Sequence, residues 1–254
     1  MSRFKNITEI EKDRFLRSPS QGAEPIPPPQ GSETDFLHPP MVEGEILESF
    51  IGMRDSLRNL AKDRPLRVIG VTSSREAEGK TRIATGLALA FAMDPRRRVL
   101  LVDGNLRAPA VAALFRLSPS PGLTDLILDD LPLEQAVQQL ADFPLFVLAS
   151  GRSNLTPAEI LSFPRFARRM AEIREAFDVT IVDTSAVKKC MDFELFSKHL
   201  DGTVLVLESD KTQLTLVQET KARIEAAGVP ILGVTLNRVH NQIPASLNQR
   251  FGLD

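Results

Sequence analysis

Arg67–Thr81 reads RVIGVTSSREAEGKT and runs straight into an apolar stretch, Ile83–Met93. RVIGVT is rich in β-branched and apolar residues, as a strand buried on both faces requires. From Lys80 to Met93 the apolar side chains recur as they do on a helix. Gly79, Lys80 and Thr81 therefore stand at a strand-to-helix turn, the setting of a P-loop. In such a turn, backbone N–H groups cradle phosphate oxygens, the lysine reaches the β- and γ-phosphates, and the threonine hydroxyl meets Mg²⁺. The strict spacing G-x-x-x-x-G-K-[ST] is not met, because Ser74 takes the place of the first glycine. The competing reading is an ordinary turn with a surface lysine.

Five further strand candidates follow: Val99–Val102, Leu145–Leu148, Val179–Val182, Thr203–Leu207 and Ile231–Leu236. Helical patterns lie between them, among them Leu133–Leu140, Arg165–Phe177 and Gln213–Ala227. This alternation predicts an α/β fold of the P-loop NTPase kind, a mostly parallel central sheet with helices on both faces. No internal repeat and no second core is apparent. Asp103 ends the run VLLVD and Asp183 ends VTIVD. Open parallel sheets bind ligands at the carboxyl ends of their strands, where carboxylates hold Mg²⁺ or accept a proton. A lone aspartate there is more often a helix N-cap, but three such elements at three strand ends are hard to obtain by chance.

Upstream, seven of the 18 prolines fall between Pro19 and Pro40, without apolar periodicity. Residues 1–42 are read as a disordered proline-rich tail, and 43–254 as one domain with a leading helix over 43–61. Ile46, Leu47, Phe50, Met53, Leu57 and Leu60 set that helical pattern, and Pro65 breaks it.

The composition narrows the partners. With 31 basic and 33 acidic residues the net charge is −2, which argues against DNA or lipid binding by bulk charge. Arg96, Arg97 and Arg98 read as a solvated turn rather than a nucleic-acid patch. The longest apolar stretch falls far short of the roughly 20 residues that span a bilayer. The acidic start, with Glu9, Glu11 and Asp13, does not resemble a signal peptide. A cytoplasmic protein is expected, reaching the membrane only through a partner. The single cysteine, Cys190, excludes an internal disulfide framework and reads as a small core residue. His38, His199 and His240 lack metal-ligand spacing. Of 17 aromatic and histidine side chains, 14 are Phe and 3 are His, with no Trp and no Tyr.

The order of motifs resembles the bacterial tyrosine kinases of the CpsD/CapB and Wzc type, cytoplasmic P-loop modules that work with polysaccharide co-polymerases in capsule and exopolysaccharide export. SSREAEGKT corresponds to the family's P-loop, LLVDGNLR to its Walker A′ motif, and TIVDTSA to its Walker B motif. GLTDLILDDLPLEQAV, NLTPAEIL, Asp192, Asp201–Gly202, Lys211–Thr212 and GVTLNRV also fall where the family has counterparts. The resemblance runs from about Glu43 to the C-terminus. It implies ATP and Mg²⁺ as cofactors, with Ser74, Glu78, Gly79, Lys80, Thr81 and Arg82 forming the phosphate-binding segment. It also implies Thr81, Asp103 and Asp183 as metal-side residues, with Asp103 the catalytic carboxylate alongside Lys80 and Asp183. Arg107 is placed near the phosphates or a neighbouring subunit. Asn237 stands where the wider P-loop group contacts adenine, or is simply a polar strand-end residue. The partner implied is the cytoplasmic segment of a membrane co-polymerase, and a homo-oligomer is among the assemblies it allows.

The departures from the family pattern bear on activity. Asn105 replaces the second Walker A′ aspartate, and an amide cannot act as a base. Ser185 and Ala186 replace Pro-Pro after Walker B. Glu76 and Ala77 stand where Pro-Gly is usual, and Ala77 reaches positive φ only at a cost, so a differently shaped turn is expected. Gly86 replaces a frequent helix Asn. The self-assembly signature E-x-x-R-x-x-R reads here from Glu48 to Arg54, with Ile51 in place of an arginine. The tyrosine cluster expected near the C-terminus is missing, so autophosphorylation on tyrosine is not expected. Three functions are consistent with these residues: a kinase-like ATPase of an exopolysaccharide system, a ParA/MinD-type positioning ATPase, and a pseudokinase scaffold without turnover. Arg75, where the positioning group has a signature lysine, slightly favours the second.

Overall fold

The computed structural model describes residues 44–62, 65–140, 144–187 and 191–239. The proline-rich stretch 1–42, His38, Cys190, His240 and the C-terminal RFGLD lie outside the described residues. Seven strands form one sheet among the described residues: β1 (Val68–Ser73), β2 (Val99–Asp103), β3 (Val137–Gln139), β4 (Leu145–Leu148), β5 (Val179–Asp183), β6 (Gly202–Glu208) and β7 (Ile231–Asn237). Their order is β3-β4-β2-β5-β1-β6-β7. Only the pairing of β3 with β4 is antiparallel. The expected mixed α/β sheet is present.

The helices are α1 (Gly44–Leu60), α2 (Lys80–Ala92), α3 (Val111–Leu114), α4 (Leu123–Leu128), α5 (Leu133–Ala136), α6 (Pro157–Leu161), α7 (Pro164–Ala176), α8 (Asp192–Ser197) and α9 (Leu214–Ala226). Strand side chains alternate between two apolar layers. Ile69, Val71, Leu101, Ile181, Val204 and Val206 pack in the layer of α2. Val68, Leu100, Val102, Val182, Leu205 and Leu207 join the layer holding Phe166, Met170 and Ile173 of α7 and Ile224 of α9. Continuous Val/Ile/Leu runs are the sequence form of strands covered on both sides.

The predicted helix Leu133–Leu140 is a correction. It ends at Ala136, and Val137–Gln139 become β3, pairing Val137 with Leu148 and Gln139 with Phe146. The segment has helix-forming composition, but the otherwise open edge of β4 supplies backbone partners, and pairing overrides propensity. The arginine run also departs from a fully solvated turn. Arg96 is exposed and pairs with Asp94, whereas Arg98 lies over the rings of Phe146 and Phe177, at 5.7 and 5.0 Å. His199 meets Phe166 edge-on, with centroids 4.9 Å apart. No helix among the described residues is long and apolar enough to cross a membrane.

Helix α1 lies on α2. Phe50 and Leu57 are buried in the α2 layer, and the Arg54 guanidinium donates to the Ala90 carbonyl at 3.0 Å. The last arginine of the signature is thus engaged within its own chain. Gly86, in the middle of α2, is where the Phe50 ring rests, and a Cβ there would lie 2.6 Å from Phe50 Cδ2 and closer still to Cε2 and Cζ.

Candidate phosphate-binding site

Strand β5 lies between β1 and β2, so the loop after β1 and the ends of β2 and β5 adjoin. Asp183 is in register with Asp103 on one side and with Val71 on the other. Gly79 caps the start of α2 with φ of 95°, a left-handed conformation that glycine adopts without strain. A Cβ at this position would collide with the Asn237 amide. Ala77 has φ of 64°, so the turn keeps a left-handed residue where the family has glycine. Holding alanine there costs about 1–2 kcal/mol.

Side chains on both sides of Ala77 hold that conformation. Buried Glu78 accepts from the Arg75 N–H at 3.0 Å and from the Thr212 hydroxyl at 2.6 Å. The Asn237 amide donates to the Glu78 carbonyl at 2.9 Å. Ser74 is buried, and its Oγ accepts from the Thr220 hydroxyl at 3.0 Å. Glu78, Ser74 and Asn237 therefore use their side chains to fix the loop. Nothing in the sequence marks Thr220, because a threonine inside a helical pattern carries no signal. Thr212 was visible as part of Lys211–Thr212, although its link to Glu78 spans 134 residues.

Lys80 is only 4% exposed, and its Nζ lies 3.1 Å from a Glu76 carboxylate oxygen. Thr81 donates its hydroxyl to Asp183 Oδ2 at 2.6 Å. Asp183 Oδ1 is buried without a hydrogen-bond partner. Burial pushes the Asp183 carboxyl up to about 7. The Thr81 hydroxyl and Lys80 oppose the rise, while the charges of Asp103 and Glu76 add to it. Asp103 Oδ2 accepts from the Ala110 and Val111 N–H groups, both at 3.0 Å. Its Oδ1 is buried and lacks a partner, and burial lifts this carboxyl to about 6. Asp103 is not itself a helix N-cap, since that position is Ala110; it holds the start of α3 from the strand end and has one oxygen left over.

Asn105 donates to the Ala108 carbonyl at 3.2 Å, while its own Oδ1 and the Ser185 hydroxyl are buried without partners. Arg107 grips buried Asp192 through two nitrogens, at 2.7 and 3.2 Å. Arg82 is on the exposed side of α2. The structure therefore brings Lys80, Thr81, Asp103 and Asp183 together, with Gly79 at the helix start. No group of three or more His, Cys, Asp or Glu able to hold a metal by itself occurs among the described residues. Asp103 and Asp183 nevertheless each keep a carboxylate oxygen without a donor, the hard-oxygen chemistry that Mg²⁺ takes. Their raised carboxyl pKa values reflect negative charge in a desolvated place, which a cation would relieve.

The sheet order and this loop place the chain in the P-loop NTPase class. The fold is shared with the Pyrococcus furiosus cell-division ATPase MinD, at 23% identity and a TM-score of 0.56 over 73% of this chain and 78% of that one. No protein-family model matches the chain. Tyrosine-protein kinase YwqD of Bacillus subtilis is 33% identical over 190 residues, covering 75% of this chain and 80% of the relative. The crystal structure of the chimerical protein CapA2B2 has a TM-score of 0.74 at 32% identity, over 79% of this chain and 88% of the other. The chain belongs to the bacterial tyrosine-kinase family.

Proposed function

We propose that residues 43–254 bind ATP with Mg²⁺ at the Gly79–Thr81 loop. In this reading, the bound state controls the cytoplasmic segment of a membrane polysaccharide co-polymerase in capsule or exopolysaccharide synthesis and export. The observation that carries this reading is the convergence of buried Lys80 with Asp103 and Asp183, each keeping a buried oxygen without a partner. Gly79, Lys80 and Thr81 would take the phosphates; Thr81, Asp103 and Asp183 would hold the ion. When bound, Mg²⁺ supplies neutralisation of phosphate charge. Ser74, Glu78 and Asn237 keep the loop in shape. Arg82 and Arg107, on the exposed side of the site, are assigned to contacts with nucleotide or a neighbouring subunit. The 254 residues contain no tyrosine, so none of them can serve as a tyrosine acceptor.

The test is equilibrium titration with a fluorescent ATP analogue and Mg²⁺, followed by turnover with and without a co-polymerase cytoplasmic peptide. Wild type is expected to bind. Lys80→Ala is expected to bind at least about 30-fold more weakly, because truncating one side of a buried charge contact costs roughly 2–5 kcal/mol. No binding by folded wild type would remove the reading. Asn105 favours the scaffold alternative, since its amide is neutral and already donates to Ala108. Binding without turnover, even with the peptide, would select that alternative. Turnover stimulated by DNA would select the positioning ATPase.

A further inference from the structure

Lys80 is a nearly buried ammonium whose anionic contact is Glu76, at 3.1 Å, from the loop that precedes it. A buried charge needs an opposite charge close by. In a P-loop, the opposite charge at this lysine is the β- and γ-phosphate of the nucleotide. Glu76 stands where the family that the chain resembles usually has proline. Its side chain is 34% exposed, so it has a path to water that Lys80 lacks. The backbone around it is fixed by the Glu78 contacts to Arg75 and Thr212 and by the Asn237 contact to the Glu78 carbonyl. Exchange at Lys80 therefore requires movement of one side chain, not of the loop. Glu76 also shares the electrostatic surroundings of Asp183, where its charge helps to raise the carboxyl pKa.

We propose that Glu76 is an internal substitute for nucleotide phosphate: its carboxylate holds Lys80 when no nucleotide is bound, and a polyphosphate must displace it to bind. The proposal rests on the nucleotide reading above and adds a residue that sets affinity. The displaced carboxylate stays close to the incoming phosphates and repels them, so the chain binds nucleotide more weakly than its loop geometry alone allows.

Two measurements on the full chain test this. The first is thermal unfolding without nucleotide of wild type, Glu76→Gln, Lys80→Met and the double variant. If the pair is made, the loss in the double variant falls short of the summed single losses by about 2 °C or more. Additive losses overturn the proposal. The second is titration of wild type and Glu76→Gln with a fluorescent ATP analogue and Mg²⁺ at low and high salt. Glu76→Gln is expected to bind about tenfold more tightly at low salt, with the gap narrowing as salt screens the repulsion. Equal or weaker binding by Glu76→Gln, when wild type binds, overturns the exchange alone. If neither protein binds while the unfolding coupling persists, the nucleotide reading has failed and the exchange falls with it.

Discussion

Asp183→Asn is expected to melt higher than wild type at pH 8 and to lose Mg²⁺-dependent nucleotide binding. Asp183 lies in register with Asp103, and both carboxylates are fully buried. Burial raises the folded-state pKa of Asp183 to about 7 and that of Asp103 to about 6, from 3.8. A carboxyl whose folded pKa lies above its unfolded value contributes stability that is complete below the unfolded pKa. That contribution is lost as pH rises through the folded pKa. For Asp183 the loss runs from about pH 4 to about pH 7. Each unit of upward shift corresponds to about 1.4 kcal/mol against the charged form. Allowing for relaxation around a buried pair, about 2 kcal/mol returns when the charge is removed.

The amide keeps the shape of Asp183, and its oxygen can still accept from Thr81. At pH 8 the gain is about 4–8 °C in melting temperature, shrinking towards pH 5, where wild-type Asp183 is already protonated. Nucleotide affinity in Mg²⁺ should fall by at least about tenfold, because one ionised oxygen ligand is gone. With EDTA in place of Mg²⁺, the two proteins should bind more nearly alike. Unfolding scans at pH 5 and pH 8, with titrations in Mg²⁺ and in EDTA, check this. A variant that melts lower at both pH values would show the carboxylate to be structural.

The elements around this site differ in how far the sequence discloses them. Six strands are legible because each is a local Val/Ile/Leu run, and β1 with its loop is legible because GKT closes such a run. Asp103 and Asp183 can be recognised as strand ends. Their adjacency is not legible, since it depends on β5 inserting between β1 and β2, a pairing between segments about 80 residues apart that no local pattern encodes. The same limit hides the Glu78–Thr212 and Ser74–Thr220 contacts. Residues 133–140 have helical composition, and only the open edge of β4 turns Val137–Gln139 into β3. Ala77 shows the reverse case: the sequence signalled a strained position correctly, yet the contacts of Glu78 and Asn237 hold the left-handed turn rather than letting it change shape. Glu76 and Lys80 are four apart in sequence, but across a strand-to-helix junction that spacing does not specify a contact.

Gly86→Asn is expected to destabilise the chain by about 3 kcal/mol or more. Judged by propensity alone, replacing a mid-helix glycine should help, by about 1 kcal/mol for alanine. The packing reverses the sign. The Phe50 ring from α1 occupies the space of the missing side chain, with Cδ2 only 2.6 Å from where a Cβ would sit. Phe50 is itself buried and cannot rotate into water without taking α1 with it. Overpacking of this kind costs roughly 1–3 kcal/mol for one methyl group, so alanine should already lose stability. Asparagine adds a polar group to an apolar contact and should cost about 3 kcal/mol or more. Phe50→Ala should likewise cost about 3–5 kcal/mol through the cavity it leaves. In the Phe50→Ala background, however, Gly86→Ala should become stabilising, since its methyl group refills part of the cavity and the helix regains its propensity. Urea unfolding of the four proteins in this cycle measures that change of sign. If Gly86→Ala costs the same with and without the Phe50 ring, the α1–α2 contact is not what keeps glycine at this position. A loss confined to Gly86→Asn would point instead to its buried amide. With the sign change, the leading helix and the phosphate-loop helix pack as one unit, and movement in either is felt by the other.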